Sequence, residues 1–226
     1  MTRRFWITGA SHGFGLALVE QLLASGQQVA ASGRDSQELD NLSQRYSGHL
    51  MHLGDDLAGA AQRLSSRWSA LDCLIINAGT CDYLPVDVTD AQLFEQIVSS
   101  NLRATEQCLV GALPLLAKGD NPQVMAVLSR YSALQLYEPN QPASGSNSLP
   151  QWLRQQRSTL QALGIDLTIV APQSLKDPVT SAQAIPEPWT AQSAAQELLA
   201  RLGQRQPELV LEVLDPGELW PLPKNS

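Results

Sequence analysis

The segment TGASHGFG, Thr8 to Gly15, limits what this chain can fold into more than any other stretch, because of where it stands. It follows a short apolar run, Arg4 to Thr8, and leads into a helical stretch from about Phe14 to Ala24 that stops at Gly26. Glycines at such a handover let the backbone turn tightly. The helix start then presents N–H groups and a positive dipole end to an anion. A glycine triplet alone is weak evidence, but between a strand and a helix it marks a phosphate-binding turn. The plainer alternative is a tight turn with no ligand.

The rest of the chain repeats the alternation. Strands are expected at Gln28 to Ser32, Leu50 to Leu53, Leu71 to Asn77, Gln123 to Ser129, Asp166 to Ala171 and Glu208 to Leu214. Helices are expected at Ser36 to Tyr46, Ala58 to Ser69, Ala91 to Ala117 (bent or shortened by Pro114), Pro150 to Leu163 and Ala191 to Leu202. Near-continuous apolar strands separated by helices imply βαβ units and a buried parallel sheet. The segment Leu136 to Pro150, rich in Pro, Asn, Ser and Gly, reads as loop, and Pro150 suits a first helical position. No repeat or linker interrupts the 226 residues, so one domain over 1–226 is expected. The fold class is α/β: a doubly wound, mostly parallel seven-stranded sheet with helices on both faces.

A net charge of −7 argues against broad binding to nucleic acid or anionic membranes. Cys73, Cys81 and Cys108 are odd in number and widely spaced, which reads as reduced thiols. The apolar run behind Arg3 and Arg4 is too short for a leader or anchor, so a soluble, cytoplasmic protein is expected. His49 and His52, three apart about a strand, do not read as a metal site.

With these elements in place, the motifs resemble those of the short-chain dehydrogenase/reductase family, over Arg4 to about Leu214. The glycine pattern TGxxxGxG at Gly9, Gly13 and Gly15 matches the family's. Asp56-Leu57 falls where the family places an acid near adenine, and Asn77-Ala78-Gly79 matches its Asn-Ala-Gly motif. Asn101 matches its structural or catalytic Asn, and Pro172 stands where a Pro-Gly pair is usual. The resemblance implies a Rossmann-type fold, a pyridine nucleotide, and a cradle of Gly9, Ser11, His12, Gly13, Phe14, Gly15, Arg34, Asp56, Leu57, Asn77, Ala78, Gly79 and Pro172. At the end of the second strand, an acidic residue would bond the ribose hydroxyls and repel a 2′-phosphate. Ser32-Gly33-Arg34 offers a guanidinium instead, which favours NADP(H) over NAD(H), although Asp35 stands beside it. Arg34 as a solvated charge leading a helix, and His12 as a solvated side chain, are the competing readings.

The family's proton chemistry uses a Tyr with a Lys four residues on. An unperturbed phenol, pKa about 10, is a poor base near neutrality, and a nearby ammonium favours its ionised form. Four residues after Tyr46, Tyr83, Tyr131 and Tyr137 stand Leu50, Asp87, Gln135 and Gln141, and the lysines are Lys118, Lys176 and Lys224. No Tyr-x-x-x-Lys exists. Aligned without gaps, Arg130 takes the family's Ser position, Ala143 the Tyr position and Asn147 the Lys position, with Ser146 before it. Ser129 serves if the register slips by one, and Gln173 replaces the usual Gly. Asn101 and Ser129 remain as catalytic candidates. Tyr131, Tyr137 and Lys176 are either alternative proton donors or surface groups, and Arg130 is either an anion ligand or half of a salt bridge.

Three readings stay open. One is an NADP(H)-binding protein weak or inactive in carbonyl reduction, another a working oxidoreductase with a different proton donor, the third a non-redox lyase or isomerase. The ligand is an unknown small molecule. The family assembles through the long helix and the helix from Pro150 to Leu163, which here carries an apolar stripe of Trp152, Leu153, Leu160 and Leu163; docking on the chain's own sheet is the alternative. A homodimer or homotetramer is therefore expected. Light scattering at micromolar concentration should give twice or four times the monomer mass, and a monomer alone would refute it.

Overall fold

The computed structural model describes residues 2–77, 91–128, 149–171 and 190–211, and everything structural below concerns those residues. In chain order the strands are β1 (Arg4–Thr8), β2 (Gln28–Ser32), β3 (Leu50–His52), β4 (Cys73–Ile76), β5 (Gln123–Val127), β6 (Asp166–Ala171) and β7 (Glu208–Val210). The helices are α1 (Gly13–Ala24), α2 (Gln37–Arg45), α3 (Leu57–Arg67), α4 (Ala91–Leu116), α5 (Leu149–Ala162) and α6 (Ala191–Arg201). The strands form one sheet in the order β3-β2-β1-β4-β5-β6-β7, every neighbouring pair parallel.

Such a sheet must be covered on both faces, and it is. On one side Leu64 of α3, Cys108, Ala112 and Leu116 of α4, and Leu153 and Leu160 of α5 pack with Trp6, Leu74 and Val124 of the sheet. On the other side Phe14, Leu18 and Leu22 of α1, Leu39 and Leu42 of α2, and Ala194 and Leu198 of α6 pack with Phe5, Ile7, Val29 and Ile75. The chain winds outward from β1 in one direction and from β4 in the other. The gap between the carboxyl ends of those two strands is the switch point at which such sheets bind ligands. No helix among the described residues is long and apolar enough to cross a membrane.

Local chemistry trims several expected boundaries. β3 stops at His52 because the chain turns at Gly54, which has φ +70°. β4 begins only at Cys73, although the Asp72 backbone N–H still donates to Arg4 O at 3.0 Å. Helix α3 starts one residue early, at Leu57, because the Asp56 carboxylate accepts the Gly59 N–H at 3.1 Å and caps it. Leu149, not Pro150, is the first residue of α5. Pro114 stays inside α4, in its last turn, where it removes one helical N–H donor close to the helix end. β7 ends at Val210, short of Leu211, and residues 212–214 lie outside the described residues. The α5 stripe divides: Leu153 and Leu160 are buried in the chain's own core and Trp152 packs against it, while Leu163, just past the helix, is 51% exposed.

The amino end of the sheet is locked by one carboxylate. Asp72 Oδ2 accepts the Arg4 backbone N–H at 2.8 Å and the Arg4 Nε–H at 3.3 Å, while Oδ1 accepts the Asp120 N–H at 2.8 Å. Burial by itself pushes this carboxyl up. The hydrogen bonds from Asp120 and Arg4 and the Arg4 charge more than offset that, and it lies below its ordinary value. The stabilisation is therefore whole above the ordinary carboxylate range, near pH 4, and is lost as pH falls toward the folded-state value. Asp72→Ala leaves a guanidinium and two amides without their acceptor. It should lower the free energy of unfolding in urea by about 2–4 kcal/mol at neutral pH, and by less as the pH drops below about 4.

Candidate nucleotide-binding site

The glycine turn sits at the switch point and is tied to both flanking strands. Gly9 and Gly13 adopt φ of +62° and +55°, a left-handed conformation that favours glycine. Asn77, just past β4, donates its backbone N–H to Thr8 Oγ1 at 3.1 Å and its side-chain Nδ2–H to Gly9 O at 3.2 Å. A Cβ on Gly15 would lie 2.1 Å from Gly9 O and 2.8 Å from Asn77 Nδ2, so the first turn of α1 closes directly onto that stitch. Asn77 Oδ1 is buried and has no hydrogen-bond partner among the described residues, an acceptor left over inside the cradle. The N-cap residue of α1 is His12, which supplies no side-chain cap, and the first turn carries no acidic residue. That leaves the positive end of the dipole uncompensated by the helix itself.

The neighbouring turn after β2 packs against the glycine turn. Ala10 N–H donates to Ser32 O at 3.0 Å, and the Ser11 hydroxyl donates to Arg34 O at 2.7 Å. A Cβ on Gly33 would fall 2.3 Å from Ser11 Oγ, so only glycine lets the two turns touch. From the other side, Gly33 N–H donates to Gly54 O at 2.9 Å and His52 Nε2 lies 3.2 Å from Gly33 O. Beneath them the buried Trp6 indole N–H donates to Ser32 Oγ at 2.9 Å. Arg34 itself is exposed.

The structure thus brings Gly9, Ser11, Gly13, Gly15, Arg34 and Asn77 to one edge of the sheet. Phe14 also stands in the turn, with its ring buried in the core beneath α1. The Ser11 hydroxyl is occupied as a donor to Arg34, and Asp56 as the cap of α3, while half-buried Leu57 packs against the core. Asn101 is buried in α4, one turn before Thr105, whose hydroxyl donates to Asn101 O at 2.9 Å. Ala78, Gly79, Ser129, Arg130, Tyr131, Tyr137, Ala143, Ser146, Asn147, Pro172, Gln173 and Lys176 lie outside the described residues, as does Cys81. Burial pushes the Cys73 and Cys108 thiols up to about 12, so both stay protonated and inert.

Sequence reasoning missed Thr8, Trp6 and His52 as parts of this site. A polar residue closing an apolar strand was the available sign for Thr8. None existed for the other two, since their partners lie 26 and 19 residues away. Gly15→Ala should force the turn away from Asn77 and lower stability by about 1–3 kcal/mol, read as a fall of several degrees in the thermal midpoint. Gly203→Ala, where nothing lies within 4 Å, is the control and should leave the midpoint in place.

Residues 4–185 match the family model described as short chain dehydrogenase. Among curated proteins, the chain is 36% identical over 121 residues to L-fucose dehydrogenase of Mus musculus, an alignment covering 50% of this chain and 43% of that protein. The chain spans about half the length of the first curated relatives it matches. Among solved structures, a short-chain dehydrogenase from Streptomyces avermitilis superimposes with a TM-score of 0.72 at 18% identity, over 93% of this chain and 89% of that one. NADPH-bound carbonyl reductase from chicken fatty liver gives 0.62 at 24% identity, over 76% of each chain. At these identities the two structures speak to the fold.

Proposed function

Because this chain belongs to the short chain dehydrogenase family, we propose that it binds NADP(H) across the carboxyl ends of β1, β2 and β4 and is weak or inactive in ordinary carbonyl reduction. One observation carries the binding half: the glycine turn, closed by Asn77, is cradle-shaped at the switch point and sits over a helix start with neither an acidic first turn nor a side-chain cap. Backbone N–H groups of Gly13 to Gly15 would hold the pyrophosphate, and Asn77 Oδ1 is a buried acceptor for a ligand donor. Arg34 would pair with the 2′-phosphate, the Asp56-Leu57 segment would border the adenine, and Ala78, Gly79 and Pro172 would complete the cradle. The solved relative from chicken liver, which holds NADPH, supports that choice of nucleotide.

When bound, the nucleotide supplies a hydride. What this chain lacks is the proton partner, since no tyrosine has a lysine four residues on. Loss of a general acid costs about 10²- to 10⁴-fold in rate. Asn101 and Ser129 remain to position a carbonyl, without an activated phenol beside them. A nucleotide-responsive binding or regulatory role follows. Self-association through α4 and α5 belongs to the same reading, supported by Val110 on α4, 60% exposed, and by Leu163 past α5.

Calorimetry with NADPH and NADH tests the proposal. Arg34→Ala should raise the NADPH Kd about tenfold or more, the worth of a hydrogen bond to a charged group, and leave the NADH Kd within about twofold. Nicotinamide absorbance with a panel of ketones should show turnover near background. Rapid turnover would instead favour an oxidoreductase with another proton donor, and no affinity for either nucleotide would favour a non-redox enzyme.

A further inference from the structure

The turn that carries Arg34 is held from both sides, and one of the holders is a histidine on a different strand. The peptide carbonyl before Arg34 Cα is Gly33 O, and His52 Nε2 lies 3.2 Å from it. A carbonyl can only accept, so Nε2 is the protonated nitrogen and donates. The carbonyl after Arg34 Cα is its own, and it accepts the Ser11 hydroxyl at 2.7 Å. Gly33 N–H is fixed on Gly54 O at 2.9 Å, next to β3. Both peptide planes about Arg34 Cα are thus oriented by side chains from neighbouring strand ends, while Arg34 itself is exposed. We infer that His52 is a positioning residue for nucleotide choice: by holding the Gly33 carbonyl from the end of β3, it aims the Arg34 backbone so that the guanidinium is preorganised for a 2′-phosphate. This rests on the proposed binding of NADP(H) at Arg34.

Preorganisation of this kind acts on the ligand that uses Arg34 and spares the one that does not.

The test is calorimetry with NADPH and NADH on the full chain. His52→Phe keeps a planar ring without the donor, and should raise the NADPH Kd about fivefold, the worth of one neutral hydrogen bond, with the NADH Kd changed by less than about twofold. His52→Gln, whose amide N–H can reach the place of Nε2, should restore NADPH affinity. A purely structural defect would not be rescued selectively in this way. In an Arg34→Ala background, His52→Phe should have no further effect on NADPH. Equal weakening of both nucleotides, or an unaltered ratio in His52→Phe while Arg34→Ala still discriminates, overturns the inference about His52. If Arg34→Ala itself fails to discriminate, the underlying assignment of the 2′-phosphate fails, and this inference with it.

Discussion

The bond from Asn77 Nδ2–H to Gly9 O, 3.2 Å long, is the contact on which the site depends. It joins the ends of β1 and β4, the two strands between which the sheet reverses its winding. Without it the glycine turn would lose the tie from the Asn77 side chain and keep those to the β2 turn. With it, the turn is clamped so closely that no side chain fits at Gly15. The same amide donates an N–H to Gly9 O and keeps a buried oxygen unpaired among the described residues. An unpaired buried acceptor costs stability, and such costs concentrate where a ligand completes the set.

Around that stitch the molecule is built in nested contacts. Two apolar layers hold the sheet, one on each face. Asp72 staples β1 to β4 at the amino end, far from the glycine turn, and Trp6 threads its indole N–H to Ser32 below the β2 turn. The stable half of the fold thus sits under the binding edge, and the edge itself is made of turns. This division is typical of α/β proteins, in which a rigid sheet positions variable loops. The candidate cradle is built from backbone groups and glycines, so its shape does not depend on a Tyr-x-x-x-Lys, and this sequence has none.

Much was legible in the sequence because it depends on neighbours in sequence. Strand and helix periods, the glycine spacing and the absence of Tyr-x-x-x-Lys are all local patterns, and a buried parallel sheet is what such alternation dictates. Ser11 was read as a nucleotide contact from its place in the motif. The structure gives its hydroxyl to the Arg34 carbonyl, a partner 23 residues away that no local pattern reveals. The α5 stripe was ambiguous for the same reason, since the spacing of Leu153 and Leu160 is identical whether they meet their own sheet or another subunit; in this chain they meet the sheet.

The sequence by itself determined the alternation of elements, the glycine turn between the first strand and the first helix, and the absence of any Tyr-x-x-x-Lys. Those follow from residue type and spacing alone. Only the tertiary structure decided that Asn77 closes the turn, that His52 and Ser11 hold the Arg34 backbone, and that Asp72 locks the opposite edge. Each of these is a hydrogen bond between strand ends that the parallel crossovers bring together, and its length depends on sheet order and register, which no single stretch of chain contains.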